Sequence, residues 1–386
     1  MDNRSFLSLV PTINQILPSL LPIDTLILLA FFLCTAFQIY FWVITASGLR
    51  RYYHKASDLG VKANQPFVSV VIASKNESEN LRKNLSFILE QEYHPFEVII
   101  VDDHSSDDTG QFIQELRTRY NHLGYFKLSE NEKGKKQAIS KGITESRGTW
   151  ILTTDADCKP VSRNWITLMM KGSDHVDVIC GYGPYEKVSG WINQLVRYET
   201  WFIGVQYLSA IARGKPYMAV GRNLAYRKKA FQKVGGFEGH RHLLSGDDDL
   251  LIQSMLKDYR FSLCLHPESY MYSSAKNTTT DVIHQKLRHL TTSYEYAQTT
   301  KIWLSMVYIT QLSHYAFWIY LIFTPFVFLA GSFFIIRVIT ILWAVKGLNR
   351  IVSSPVNWIK AVCWDFVLCL YYMGLSFFMT KNRSEW

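Results

Sequence analysis

Asp155-Ala156-Asp157 follows directly on the run Trp150-Ile151-Leu152-Thr153-Thr154, placing two carboxylates one residue apart where a buried strand would leave its sheet. Such a pair can hold a divalent cation. Oxygen ligands suit Mg²⁺ or Mn²⁺, and a cation with few protein ligands keeps positions that the oxygens of a nucleotide diphosphate can fill. An Asp at this point can also be a turn former or the N-cap of the next helix. The motif is short, so its neighbours must decide.

Those neighbours carry more chemistry. Ala73-Ser74-Lys75-Asn76-Glu77 and Asp102-Asp103-His104-Ser105 each close an apolar, β-branched run. Gly134-Lys135-Lys136 stands at a helix start, where amides and ammonium groups could meet phosphates or form a solvated basic first turn. Ser245-Gly246-Asp247-Asp248-Asp249 crowds three carboxylates, whose repulsion would raise one pKa toward the operating pH of a general base. An acidic helix N-terminus answering the dipole explains one Asp better than three.

The elements that must position these groups lie at about residues 65–300, where short β-branched runs alternate with helix-period segments, the pattern of a three-layer α/β sheet. Strands are predicted over 68–72, 97–101, 125–128 and 150–154. Between them fall helices marked by Leu81, Leu85, Ile88 and Leu89, by Phe112 and Leu116, and by Ile139 and Ile143 within 135–146. A doubly wound domain binds ligands at the carboxyl ends of its strands. Residues 73–77, 102–105 and 155–157 should therefore share one edge. No G-x-G-x-x-G follows the first strand and there is no Walker loop, which argues against an ordinary dinucleotide or P-loop enzyme.

Of the 386 residues, 48% are apolar and 15% aromatic, high for a soluble protein. The excess sits at the two ends. After a short N-terminal segment (1–22), residues 23–49 are long enough to cross a bilayer core of about 30 Å, and read as a retained anchor. Arg50, Arg51, His54 and Lys55 follow, whereas Arg4 alone precedes, so the next domain should face the cytoplasm. Residues 302–380 are again apolar and suggest helices near 302–324, 326–345 and 357–379. Arg337 interrupts the second, and a tail with Lys381 and Arg383 disagrees with an even number of crossings, so two or three spans remain open. The net charge of +9 is scattered or lies beside the apolar segments, which points to anionic lipid rather than nucleic acid. Six cysteines without C-x-x-C spacing argue for reduced thiols and against structural zinc. Asn277-Thr278-Thr279 would carry no glycan in a cytoplasmic domain. The aromatic stripe over 190–211 fits a buried helix or an interfacial one near lipid headgroups.

Taken in order, Val68-Ser-Val-Val-Ile-Ala-Ser-Lys-Asn-Glu77, Val98-Ile-Ile-Val-Asp-Asp-His-Ser105, Gly134-Lys-Lys-Gln-Ala138 and Thr154-Asp-Ala-Asp157 resemble the family-2 inverting glycosyltransferases, specifically the membrane-anchored bacterial type. The resemblance covers roughly residues 66–300 and implies a GT-A doubly wound nucleotide-diphospho-sugar transferase domain flanked by transmembrane helices. On the donor side it implies Ala73, Asn76 and Glu77, Asp103 at the base or ribose, Asp155 at the nucleoside, and Asp157 on the metal, with Lys135 and Lys136 near the phosphates. Asp102 would stabilise a turn. The triple Asp is similar to the family's acidic motif, in which one Asp deprotonates the acceptor. Aligning Leu251 and Met255 makes Asp248 the base; a shift by one makes it Asp247. Arg222 and Asn223 resemble the acceptor-side turn. Gln285-Lys-Leu-Arg288-His289 resembles Q-x-x-R-W, implying Arg288 at the leaving diphosphate and Gln285 and His289 at the acceptor. His289 offers a smaller stacking face than the usual Trp.

The resemblance implies a multi-pass enzyme of the inner (cytoplasmic) membrane that transfers a sugar from a nucleoside-diphosphate sugar to a lipid-linked or envelope-glycan acceptor. A processive polysaccharide synthase would need enough helices to line a pore. A silent scaffold or nucleotide-sugar sensor would have no chemical need for Asp103, Asp155, Asp157 and Asp248 together.

Overall fold

Val, Ile and Trp runs that are buried on both faces become the inner strands, and alternate residues of one strand serve opposite cores. Val71 and Ile151 face one apolar cluster, while Val70, Ile72, Trp150 and Leu152 face the other. The computed structural model describes residues 22–57, 65–243, 245–276, 278–353 and 356–381; the N-terminal segment before residue 22, Asn277 and Arg383 lie outside the described residues.

In chain order the elements are α1 (Pro22–Ser57), β1 (Val68–Ser74), α2 (Ser78–Leu89), β2 (Phe96–Asp102), α3 (Thr109–Arg117), β3 (Leu123–Lys127), α4 (Lys135–Glu145) and β4 (Trp150–Thr153). Next come β5 (Cys158–Pro160), α5 (Trp165–Met169), β6 (Val178–Cys180), α6 (Trp191–Ala212), β7 (Leu224–Arg227), α7 (Lys228–Lys233), α8 (Asp249–Met255), β8 (Phe261–Leu263) and β9 (Met271–Ser273). The chain closes with α9 (Thr279–Thr292), α10 (Gln298–Leu321), α11 (Val327–Leu348) and α12 (Ala361–Lys381).

The main sheet runs β3-β2-β1-β4-β7-β6-β8. Its first four strands are parallel, so the ends of β1, β2 and β4 meet on one edge. β7 then enters antiparallel to β4. β5 pairs with β9 outside this sheet, with Cys158 opposite Ser273.

The first apolar helix extends beyond the expected boundary at residue 49, to Ser57. Phe41, Trp42, Ala46 and Leu49 are buried in the same cluster as Trp201, Phe202 and Leu208 of α6. Each large side chain so buried contributes about 1.5–3 kcal/mol, so this helix, long and apolar enough to cross a membrane, also belongs to the domain core. Its partner α6 resolves the alternative left by the sequence. Most of its aromatic stripe is buried, and only its start projects, with Trp191 61% exposed.

All three expected C-terminal helices form. Among the described residues, Ile23–Lys55 and Val327–Leu348 are long and apolar enough to cross a membrane. Arg337 is fully buried and its guanidinium pairs with Asp365 of α12 at 2.7 Å. It also donates to Tyr315 and to Gln38, so one polar node joins α1, α10, α11 and α12.

Candidate active site

At the end of β1, Asn76 adopts a left-handed conformation, and His104 does so at the end of β2. Strain of this kind recurs where loops are held for function. Here the two loops lock together: Asn76 donates its N–H to the Ser105 hydroxyl, and its Oδ1 accepts from the Ser106 N–H. Glu77 accepts from Asn80 at 2.6 Å and donates its N–H to Thr109. Ala73 is partly buried at the strand end. Asp102 accepts from the Ser105 N–H and the Tyr125 hydroxyl, the geometry of a turn stabiliser.

Asp103 points the other way. Its Oδ2 accepts from the Gly134 N–H at 3.0 Å and lies 3.7 Å from the Lys75 ammonium. Its Oδ1 is buried with no hydrogen-bond partner. Gly134 sits at φ +95°, a conformation open to glycine, and this lets its amide turn toward Asp103 just before α4 begins.

Lys135, the first residue of α4, joins the remaining carboxylates. Its ammonium is 2.7 Å from Asp155 and 2.8 Å from Asp247, so the D-x-D and the triple Asp share one site. Burial works against this charge, yet Asp155 and Asp247 outweigh it and keep the lysine protonated. Burial would also raise the Asp247 pKa, but Lys135 holds it below the usual carboxylate range.

Asp248 differs in every respect. One oxygen accepts from the Gly221 N–H at 2.8 Å and the other from the Asp249 N–H. Burial first, then Asp247 and Asp249, push its pKa up to about 7. Asp249 is fully occupied as a strut, accepting from Leu250 N–H and from the Thr292 and Tyr296 hydroxyls at 2.6 Å each.

Ligand atoms of Asp155, Asp157 and Cys158 lie within 4.8 Å of one another. Burial, followed by the Asp155 charge, raises the Asp157 pKa, a repulsion that a divalent cation would relieve. The Cys158 thiol donates to Asp157, and burial with the two carboxylates raises its own pKa. It stays a thiol. The remaining ligand set is two hard oxygens, which fits Mg²⁺ or Mn²⁺.

Several expected contacts are built differently. Lys136 does not face the donor side: its buried ammonium donates to the His240 and Leu243 carbonyls and ties down the loop before Asp247. Asn223 is completely buried; its amide donates to the Tyr182 and Ser269 carbonyls and accepts from Trp165, leaving nothing for an acceptor. Arg222 stacks on Tyr185 and donates to Ser273, beside Cys158. Gln285 donates to the same Tyr185 at 3.4 Å. Arg288 and His289 are exposed on α9. Thr292, Tyr296 and Tyr185 were not singled out by sequence, because a lone Thr or Tyr at a helix end carries no motif.

A D-x-D at the carboxyl edge of a parallel β/α sheet is joined through Lys135 to Asp247, next to a half-buried Asp248 of raised pKa, an arrangement in keeping with the GT-A fold. Residues 69–235 match the glycosyl transferase family 2. Glycosyltransferase AglE of Haloferax volcanii is 31% identical over 189 residues, covering 47% of this chain and 59% of its own. The GalNAc(5)-diNAcBac-PP-undecaprenol beta-1,3-glucosyltransferase of Campylobacter jejuni is 28% identical over 122 residues, covering 32% of this chain and 40% of its own. The chain spans less than two thirds of the length of either relative. The mannosyltransferase PcManGT of Pyrobaculum calidifontis, solved with GDP-Man and Mn²⁺, aligns over 90% of this chain and 95% of its own, at 18% identity and a TM-score of 0.47.

Proposed function

We propose that this chain is a membrane-bound, metal-dependent glycosyltransferase that moves a sugar with inversion from a nucleoside-diphosphate sugar to a lipid-linked or envelope-glycan acceptor. The observation that carries the reading is the Lys135 bridge, which puts Asp155 of the D-x-D and Asp247, next to the Asp248 base, around one ammonium. The lipid-linked acceptor draws on the Campylobacter jejuni relative, whose name specifies one. Two candidate spans, with the basic cluster at Arg50 after the first, support a membrane protein whose catalytic domain faces the cytoplasm.

The unpartnered Asp103 oxygen would accept from the nucleoside, and Lys135 would meet the diphosphate. Asp157, with Asp155, would hold Mg²⁺ or Mn²⁺, which supplies charge neutralisation at the phosphates when bound. Asp248 takes the proton of the acceptor hydroxyl, and that oxygen attacks the anomeric carbon from the face opposite the leaving group. The new C–O bond forms as the bond to the phosphate oxygen breaks, and the electron pair leaves with the nucleoside diphosphate. Arg288, exposed on α9, would meet that leaving charge. Of the two registers, geometry favours Asp248, since Asp247 is committed to Lys135.

The purified full chain, screened with nucleotide sugars and Mn²⁺, should hydrolyse or transfer at least one donor. Asp157→Asn should abolish turnover and the Mn²⁺-dependent thermal shift given by that donor, with the melting temperature of the free protein retained. Full activity in this variant, or undiminished wild-type activity in excess chelator, would overturn the metal assignment.

A further inference from the structure

A second concentration of cations lies away from the catalytic carboxylates. Lys187, Arg197 and Lys360 line a pocket of about 170 Å³ together with Tyr198, Asn357 and Trp364. It forms where α6, the segment before α12 and the first turn of α12 come together. Among the described residues no carboxylate lies within ion-pair distance of these three side chains, and the Arg197 Nε is buried without a hydrogen-bond partner. Near Arg197 on the same helix α6, Glu199 is taken up by Lys286 of α9 and does not neutralise them. An unneutralised trio of cations in one concavity is a site for an anion of more than one charge.

The surroundings say what kind of anion. Trp358, next to the pocket residue Asn357, lies under the Lys346 ammonium at the charged end of the candidate span Val327–Leu348. At the corresponding end of α1, Arg50 stacks on Trp343. Aromatic and basic residues paired in this way mark the membrane–water boundary. Next to Lys360, Ile359 is 64% exposed, and Val356 lines the pocket itself, so apolar side chains border the cationic concavity. On its inner side, Arg197 acts electrostatically on Tyr272 of β9. The next residue, Ser273, pairs with Cys158 and accepts from Arg222, which brings the pocket within one strand of Asp157.

We propose that the Lys187–Arg197–Lys360 pocket binds the phosphate headgroup of the lipid-linked acceptor at the membrane surface. This assignment rests on the reading of the chain as a transferase with a lipid-linked acceptor. Cations hold the phosphates, Trp364 and Tyr198 wall the pocket, and the exposed apolar rim meets the first part of the lipid chain. The carbohydrate is thereby delivered across β9 to the catalytic edge.

The test uses the full chain in nanodiscs of neutral phosphatidylcholine, with a labelled polyprenyl diphosphate as probe. Wild type should bind it saturably, and Arg197→Gln with Lys360→Gln should weaken binding at least tenfold. Lys187→Gln, an exposed loop substitution, should weaken it by a smaller factor and guards against a folding defect in the pair. The donor-dependent thermal shift with Mn²⁺ should be unchanged in all three proteins. Wild-type affinity in the variants, or absence of saturable binding, overturns the pocket while leaving the transferase reading intact. Displacement of the probe by an equal concentration of phosphatidylglycerol overturns the acceptor assignment, because the pocket would then serve bulk anionic lipid. Loss of donor binding and turnover with retained probe binding would instead refute the transferase reading alone.

Discussion

Asp247→Asn tests whether the crowded carboxylates set the protonation of the base. The Asp248 pKa stands at about 7 against a reference of 3.8, roughly three units or about 4 kcal/mol of preference for the neutral acid. Burial accounts for the largest share, and the Asp247 charge comes next. Neutralising an adjacent carboxylate should lower the pKa by roughly one unit, at the lower end of what a close charge does. Lys135 adds to this in the same direction: deprived of Asp247, its ammonium is left with Asp155 and stabilises the Asp248 anion more strongly. In wild type, kcat/KM should fall as pH drops through about 7, because the acceptor proton needs an ionised Asp248. In the variant the midpoint should move to roughly 6, so at that pH the rate rises from about a tenth of its plateau to about half. Loss of a Lys135 partner also lowers the plateau, so the midpoint is the quantity to read from a pH profile at limiting donor and saturating Mn²⁺. An unmoved or raised midpoint would refute the electrostatic argument.

Asp248→Asn should lose transfer by about 10²–10⁴-fold with donor binding kept. It should also be stabilising at high pH: the folded pKa is raised, so the stability linked to Asp248 is present at low pH and lost as pH rises through about 7. The advantage of the variant in unfolding free energy should therefore grow between pH 5 and pH 8, by up to about 3 kcal/mol, and a difference that shrinks over this range would contradict the assignment. Arg337→Leu should destabilise the detergent-solubilised protein by about 3–5 kcal/mol by leaving Asp365 buried without its cation. Adding Asp365→Leu should restore much of the loss, and additive losses would show that the two residues act independently. A cysteine at exposed Lys133, on a cysteine-free background, should resist a membrane-impermeant thiol reagent in intact cells and react after permeabilisation. Labelling in intact cells would invert the proposed topology.

The inner strands were legible because burial on both faces leaves little choice of residue: Val-Ser-Val-Val-Ile and Val-Ile-Ile-Val can scarcely be anything else between two helical layers. Parallel order then placed the Asp103 and Asp155 loops on one edge without further information. The antiparallel entry of β7 was not legible, since its four residues carry no sign of direction. Nor was the division of labour between Lys135 and Lys136. Adjacent helical residues point about 100° apart, and only the packed loop at His240 and Leu243 determines which ammonium it takes. Asn223 failed for a related reason. Its polar amide suggested sugar hydroxyls, but Tyr182, Ser269 and Trp165 reach it from three distant segments and satisfy it internally.

The same long-range contacts explain why the base is held where it is. Gly221 donates its N–H to Asp248, and its carbonyl accepts from Thr153 at 2.7 Å, two residues before Asp155. One residue therefore ties the exit of β4 to the start of α8. A side chain at Gly221 would place its Cβ 3.3 Å from the Asp248 Cβ, a tight approach, and in ordinary contact with an Asp247 oxygen at 3.4 Å, so Asp248 would have to give by a few tenths of an ångström. Asp249 extends the linkage to Thr292 and to Tyr296, two residues before the first residue of α10. Asp248 thus takes its position from the strand that presents the D-x-D on one side and from the segment leading into α10 on the other. Such fixed placement removes the need to reorganise charges during the reaction, which is the main way a site of this kind stabilises a developing anion. It also couples the C-terminal helices to this site: a shift of α10 relative to the sheet would be felt at Asp249, and through its N–H at Asp248.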